Sequence, residues 1–125
     1  MAKTVLLVDD NAEIRHALCR LFGSQEDFDV CGEAENGQEA IEKAERLRPD
    51  LIVMDLSMPV MNGIEAARVL KRLMPAAPVI IFSEYSDAFS EKEARSAGVS
   101  ALVSKSEHVS VLLGKARSLL DQLAA

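Results

Sequence analysis

At 125 residues the chain suits one domain built on one core, and 49% hydrophobic with 27% charged residues is the composition of a folded rather than a disordered chain. A net charge of −6 argues against a nucleic-acid-binding surface, which needs a basic patch. No apolar run reaches the length of a membrane span and no signal-peptide pattern opens the chain, so a cytoplasmic protein is expected.

In chain order, the run TVLLV at residues 4–8 predicts a buried strand that runs straight into two acids, Asp9 and Asp10. Ile14, Leu18, Leu21 and Phe22 follow at helical spacing, with Asn11 placed to cap the start and Gly23 the end. Residues 28–32 (FDVCG) predict a second strand, and Ala40, Ile41, Ala44 and Leu47 a second helix opened by Asn36. The third strand is predicted at 50–55 (DLIVMD), ending on Asp55. Its helix carries Ile64, Ala67, Leu70 and Met74 behind Asn62. A fourth strand at 78–82 (PVIIF) leads to Ser83. The least amphipathic helix, 86–97, follows it, capped by Ser86 and ended by Gly98, with Phe89 and a few alanines as its apolar face. Residues 100–104 (SALVS) predict the fifth strand and lead to Lys105. The last helix carries Val109, Leu112, Leu113, Ala116, Leu120 and Leu123. Pro49, Pro75 and Pro78 fall in connections. Strands alternating with helices predict an α/β fold: a doubly wound parallel sheet of five strands with helices on both faces.

Ligands of such a sheet bind outside the carboxyl ends of its strands. The residues expected there are Asp9, Asp10, Asp55, Ser83 and Lys105. Adjacent acids raise each other's pKa unless positive charge offsets them. Three carboxylates without His or Cys are a hard oxygen set, suited to Mg²⁺ or Mn²⁺ rather than zinc. Asp55 can accept a phosphoryl group as an acyl phosphate, with metal and Lys105 neutralising the phosphoryl oxygens and the Ser83 hydroxyl donating to one of them. Other polar residues read more plainly. Cys19 and Cys31, twelve residues apart with no CxxC, are reduced packing residues. His16 and His108 lack partners at ligand spacing and belong on the surface. The five methionines fill core gaps.

At these residues the chain resembles the response-regulator receiver domain of bacterial two-component signalling. VLLVDDN, DLIVMDLSMPVMNG, PVIIFS and AGVSALVSK carry the resemblance, which covers essentially the whole chain. It implies a flavodoxin-like (βα)5 fold of strand order 2-1-3-4-5, with residues 1–125 a single receiver domain. It implies Asp55 as phosphoacceptor, Asp10 as a direct Mg²⁺ ligand, Asp9 acting through water and the Ser57 backbone carbonyl completing the protein ligands, with Ser83 and Lys105 on the phosphoryl group. The implied partners are a sensor histidine kinase or phosphotransfer protein and a downstream output domain or protein, with a homodimer on phosphorylation as one form of output. Such a module catalyses only its own phosphorylation and slow dephosphorylation. VCGEAENGQEAIEKA and MPVMNGIEAARVLK look most like the branch that often carries a helix-turn-helix output domain. None lies in these 125 residues, so a stand-alone or excised receiver is expected.

Three positions depart from the family pattern. Leu102 stands where Tyr or Phe is usual, Glu84 where a small residue follows the hydroxyl, and Ser106 where Pro often follows the lysine. Leu102 and Glu84, with Ser83, are the expected switch positions, and they keep open a receiver-like interaction module that works without phosphorylation. An aspartyl-nucleophile phosphatase would want a second acid two residues after the nucleophile, where Ser57 stands. A flavin-binding fold would want a Ser/Thr/Gly phosphate loop after the first strand, and none is there.

Overall fold

The computed structural model describes residues 2–84 and 88–124, the side chains of 88–90 and 124 excepted. Along these residues five strands and five helices alternate: β1 (Lys3–Val8), α1 (Ala12–Gly23), β2 (Phe28–Ala34), α2 (Gly37–Leu47), β3 (Leu51–Met54), α3 (Gly63–Leu73), β4 (Val79–Ser83), α4 (Ala88–Ser96), β5 (Ala101–Ser104) and α5 (Val109–Ala124). The strands form one parallel sheet in the order β2-β1-β3-β4-β5. The order reverses between β1 and β3, which places the sheet's ligand crevice at the carboxyl ends of those two strands.

The apolar runs explain the middle of the sheet. Val5–Val8 and Leu51–Met54 are buried throughout, since helices cover both faces and leave no polar side for alternation. Leu6, Val8, Ile52, Met54 and Ile81 pack with α2 and α3 residues such as Ile41, Ile64 and Leu70. Their neighbours Leu7, Val53 and Ile80 face Leu18, Phe22, Leu112, Ala116 and Leu120 of α1 and α5. Each fully buried Leu, Ile or Phe contributes about 1.5–3 kcal/mol of transfer free energy. Val109 and Leu123 of the predicted α5 stripe are exposed instead, because they lie on its first and last turns, beyond the sheet it covers.

Helix starts follow the asparagines. Asn11 Oδ1 accepts from the Glu13 and Ile14 amides, Asn36 from Glu39, and Asn62 closes a reciprocal capping box with Glu65. The expected Ser86 cap and the Phe89 contact lie outside the described residues. Met74 is not in α3 but is its C-cap, since Pro75 follows. Arg48, not a glycine, ends α2 in the left-handed conformation. Gly98 takes φ +94° just after α4, against the Lys71 side chain. Between β1 and β2 the register skips Cys31, whose thiol donates to the Val5 carbonyl at 3.4 Å across the bulge. Cys19 and Cys31 are free and half-buried, and His16 and His108 are exposed.

Candidate functional site

Val8 is the last residue of β1, so Asp9 leaves the sheet at the crevice. It is 1% exposed. Its Oδ1 accepts from the Asn11 amide at 2.9 Å, which links the acid to the cap of α1. Its Oδ2 accepts from Lys105 Nζ at 3.0 Å. Asp55 follows β3 and is 8% exposed. Its Oδ1 accepts from the Leu56 amide at 2.9 Å and lies 3.3 Å from Lys105 Nζ. One ammonium therefore bridges two buried carboxylates. Asp10 is exposed and has no ion pair among the described residues. Asp9, Asp10 and Asp55 each offer an oxygen within 4.8 Å of the others.

These distances set the electrostatics. Burial pushes the Asp55 carboxyl above its ordinary range, the neighbouring Asp9 charge pushes the same way, and Lys105 opposes both. Burial alone would lower the Lys105 ammonium's pKa, but its bond to Asp9 and the charges of Asp55 and Asp9 outweigh this and raise it. With three acids against one lysine the cluster remains short of positive charge. All-carboxylate oxygens at this spacing fit a hard divalent cation, and no His or Cys competes for it.

The backbone holds the remaining residues. Ser83 ends β4, buried, and pairs with Ser104 across the sheet. Its carbonyl accepts the Lys105 amide at 2.8 Å, so the lysine's main chain is pinned beside the serine. Ser106, where a proline was the family expectation, closes its own turn: its amide donates to Ser104 Oγ at 3.2 Å and the two hydroxyls lie 2.7 Å apart. Lys105 Nζ also sits 6.0 Å from the centre of the Phe82 ring. A pocket of about 210 Å³ takes in Asp9, Asp10, Asp55, Ser57, Ser83 and Lys105, with exposed Glu84 on its rim. Leu102 is half-buried on the opposite face of β5 from Val103 and packs with the α2–α3 side of the core.

Three features of the site lie outside the expected stripes and strand ends. Val60, 82% exposed, has φ 68° and is the centre of a turn closed by Met61 N to Pro59 O at 2.7 Å. For a β-branched residue this is strained, by about 1–3 kcal/mol, and it shapes the loop that carries Ser57. Gly63 lies so close to the Asp55 carbonyl that an added Cβ would meet it at 2.4 Å. Arg15 is buried, 8% exposed, while Ile14 and Leu21 of the expected stripe are only half-buried. A signal for Arg15 existed: with Leu18 and Phe22 it forms an i, i+3, i+7 series on the inward face of α1.

Comparison with known proteins agrees with this geometry. Residues 5–117 match the model of the response regulator receiver domain. The chain is 39% identical over 105 residues to the chemotaxis protein CheY of Thermotoga maritima, covering 84% of this chain and 87% of that one. It is 47% identical over 83 residues, 66% of its length, to protein-glutamate methylesterase/protein-glutamine glutaminase 4 of Hahella chejuensis, of which it spans 21%. It superposes with a TM-score of 0.93 on a crystal structure of a LuxR-family two-component response regulator from Aurantimonas sp. SI85-9A1, at 30% identity, covering 98% of this chain and 87% of that one. Against several longer curated relatives the chain spans 21% to 51% of their length. With a five-stranded sheet of order 2-1-3-4-5 and a lysine spanning two of three clustered acids at its crevice, the chain belongs to the response regulator receiver domain family.

Proposed function

We propose that residues 1–125 act as one receiver unit in which Asp55 takes a phosphoryl group from a histidine kinase or phosphotransfer protein, with Mg²⁺ as cofactor and Mn²⁺ as its substitute. The observation that carries this is Lys105 held between Asp9 and Asp55 while Asp10, exposed at the mouth, has no ion pair among the described residues. Asp9, Asp10, Asp55 and the Ser57 carbonyl would hold the cation, which supplies charge to offset the phosphoryl oxygens and the crowded acids. Leu56 N–H and Lys105 both engage Asp55 Oδ1, so Oδ2 is the attacking oxygen. It forms the bond to phosphorus as the donor's P–N bond breaks, and the electron pair and a proton go to the departing imidazole. Lys105 then moves its charge onto a phosphoryl oxygen and Ser83 donates its hydroxyl to another. Water later cleaves the acyl phosphate and restores the carboxylate. An apolar groove of about 320 Å³ between α1 and α5, with Ile14, Leu18, Phe82 and Val109, adjoins the pocket at Glu84 and Lys105 and gives a donor protein a surface to rest on.

The output is a change in a downstream domain or protein, with homodimer formation on phosphorylation one route. Among the described residues no helix is long and apolar enough to cross a membrane. Incubation with a small phosphoramidate and Mg²⁺, read by intact mass spectrometry, tests the reading. A single stable adduct is expected, lost in Asp55→Asn. Rapid phosphate release with turnover would point to a phosphatase, and no reaction to an interaction module that needs no phosphate.

A further inference from the structure

We infer that Arg15 is a positioning residue that aims the Asp9–Asp10 acid pair at the divalent cation; the inference rests on the phosphoacceptor reading. Arg15 Nη1 donates to the Asp9 carbonyl at 2.8 Å, in a buried contact. That carbonyl belongs to the peptide joining Asp9 to Asp10. Asp9's carboxylate is already tied to Asn11 and Lys105, but Asp10's has no ion-pair partner among the described residues. The direction of the Asp10 carboxylate therefore depends on the backbone at its Cα, and Arg15 is the side chain that restrains the peptide leading into it.

The guanidinium cannot swing away. Its Nε meets Glu33 Oε1 at 3.0 Å and its Nη2 lies 3.8 Å from Glu35 Oε1. Glu33 is held in turn, because Lys43 of α2 donates to its carbonyl and pairs with Glu39 at 3.0 Å. A planar fork with several donors suits this three-way task, and an ammonium does not. Burying a guanidinium is also costly compared with an apolar side chain of similar size, so packing alone does not account for an arginine on the inward stripe of α1.

Positioning and plain electrostatics predict opposite signs. Arg15→Gln removes a positive charge near a cluster of acids, which by Coulomb attraction should tighten Mg²⁺ binding. Loss of a group that orients metal ligands should instead weaken it about tenfold. Arg15→Lys keeps the charge but not the fork, so charge predicts no change and positioning predicts weaker binding. The experiment is a Mg²⁺ titration of wild type, Arg15→Gln and Arg15→Lys, followed by amide chemical shifts of Asp10 and Asn11, with thermal melts at zero and saturating Mg²⁺. Weaker binding in both variants, with a smaller Mg²⁺-dependent gain in Tm, is expected. Should Arg15→Gln not fold, Arg15→Lys decides alone. Equal or tighter binding in the variants, while wild type binds, overturns this inference only. Absence of saturable Mg²⁺ binding in wild type overturns it together with the phosphoacceptor reading.

Discussion

Gly63→Ala should destabilise the protein and damage the site together, although alanine is the better helix former. Gly63 is the first residue of α3, and its amide donates to the Leu56 carbonyl at 2.8 Å. An added Cβ would lie 2.4 Å from the Asp55 carbonyl oxygen, 3.1 Å from Leu56 Cα and 3.1 Å from Ile81 Cδ1. Ordinary contact begins near 3.4 Å, so the methyl must move about 1 Å from a backbone oxygen, with atoms already close on other sides. Backbone cannot rotate aside as a flexible side chain can. Overpacking of this kind costs about 1–3 kcal/mol, against a propensity gain below about 1 kcal/mol, for a net loss of about 1 kcal/mol. The main chain displaced is that of Asp55, so Mg²⁺ affinity should fall as well. Gly114→Ala is the control, since its Cβ meets nothing within 4 Å on the exposed face of α5; it should stabilise by about 0.5–1 kcal/mol. Urea unfolding of both variants, compared at equal m-value, measures the two signs. If Gly63→Ala unfolds at the wild-type urea concentration, the close approach to Asp55 is not real and the reasoning fails.

Asp55→Asn should raise stability at neutral pH without Mg²⁺. Because the folded Asp55 pKa is raised, its favourable contribution is complete below the ordinary 3.8 and disappears as pH rises through the folded value. At pH 7 the ionised group is a net cost that the amide avoids, and an unchanged or lower midpoint for the variant counts against this. Mg²⁺ should raise the wild-type Tm, by about 2.7 kcal/mol of stability at a concentration a hundredfold above its dissociation constant, and Asp10→Asn should lose most of that gain. Glu84 places a negative charge on the rim of the pocket, where it repels an incoming phosphoryl group. Glu84→Ala should accept phosphate faster in a stopped time course, and an equal rate would remove the charge argument. Leu102 has no polar tip to satisfy outside the core and is already half-buried, so beryllofluoride should shift amides across 84–113 only modestly; large, spread shifts would contradict this.

Much of the fold was legible because burial is written locally. A strand covered on both faces must be apolar at every position, as Val5–Val8 and Leu51–Met54 are. A helix covered on one face repeats every 3.6 residues, and asparagine before such a repeat marks its start. From that alternation it follows that Asp9, Asp10, Asp55, Ser83 and Lys105 gather at one end of a parallel sheet, since every strand points the same way. What the sequence could not determine is which of them touch. Lys105 reaches Asp9 across 96 residues of chain only because β5 and β1 lie in one sheet. Whether Asp9 is buried and its neighbour Asp10 exposed depends on how the chain turns out of β1. The approach of Gly63 to Asp55, the turn at Val60 and the grip of Arg15 on the Asp9 carbonyl are likewise contacts between segments. Residue type and spacing report a position's environment, averaged over one helix or strand; partners and distances arise only when those elements are packed against one another.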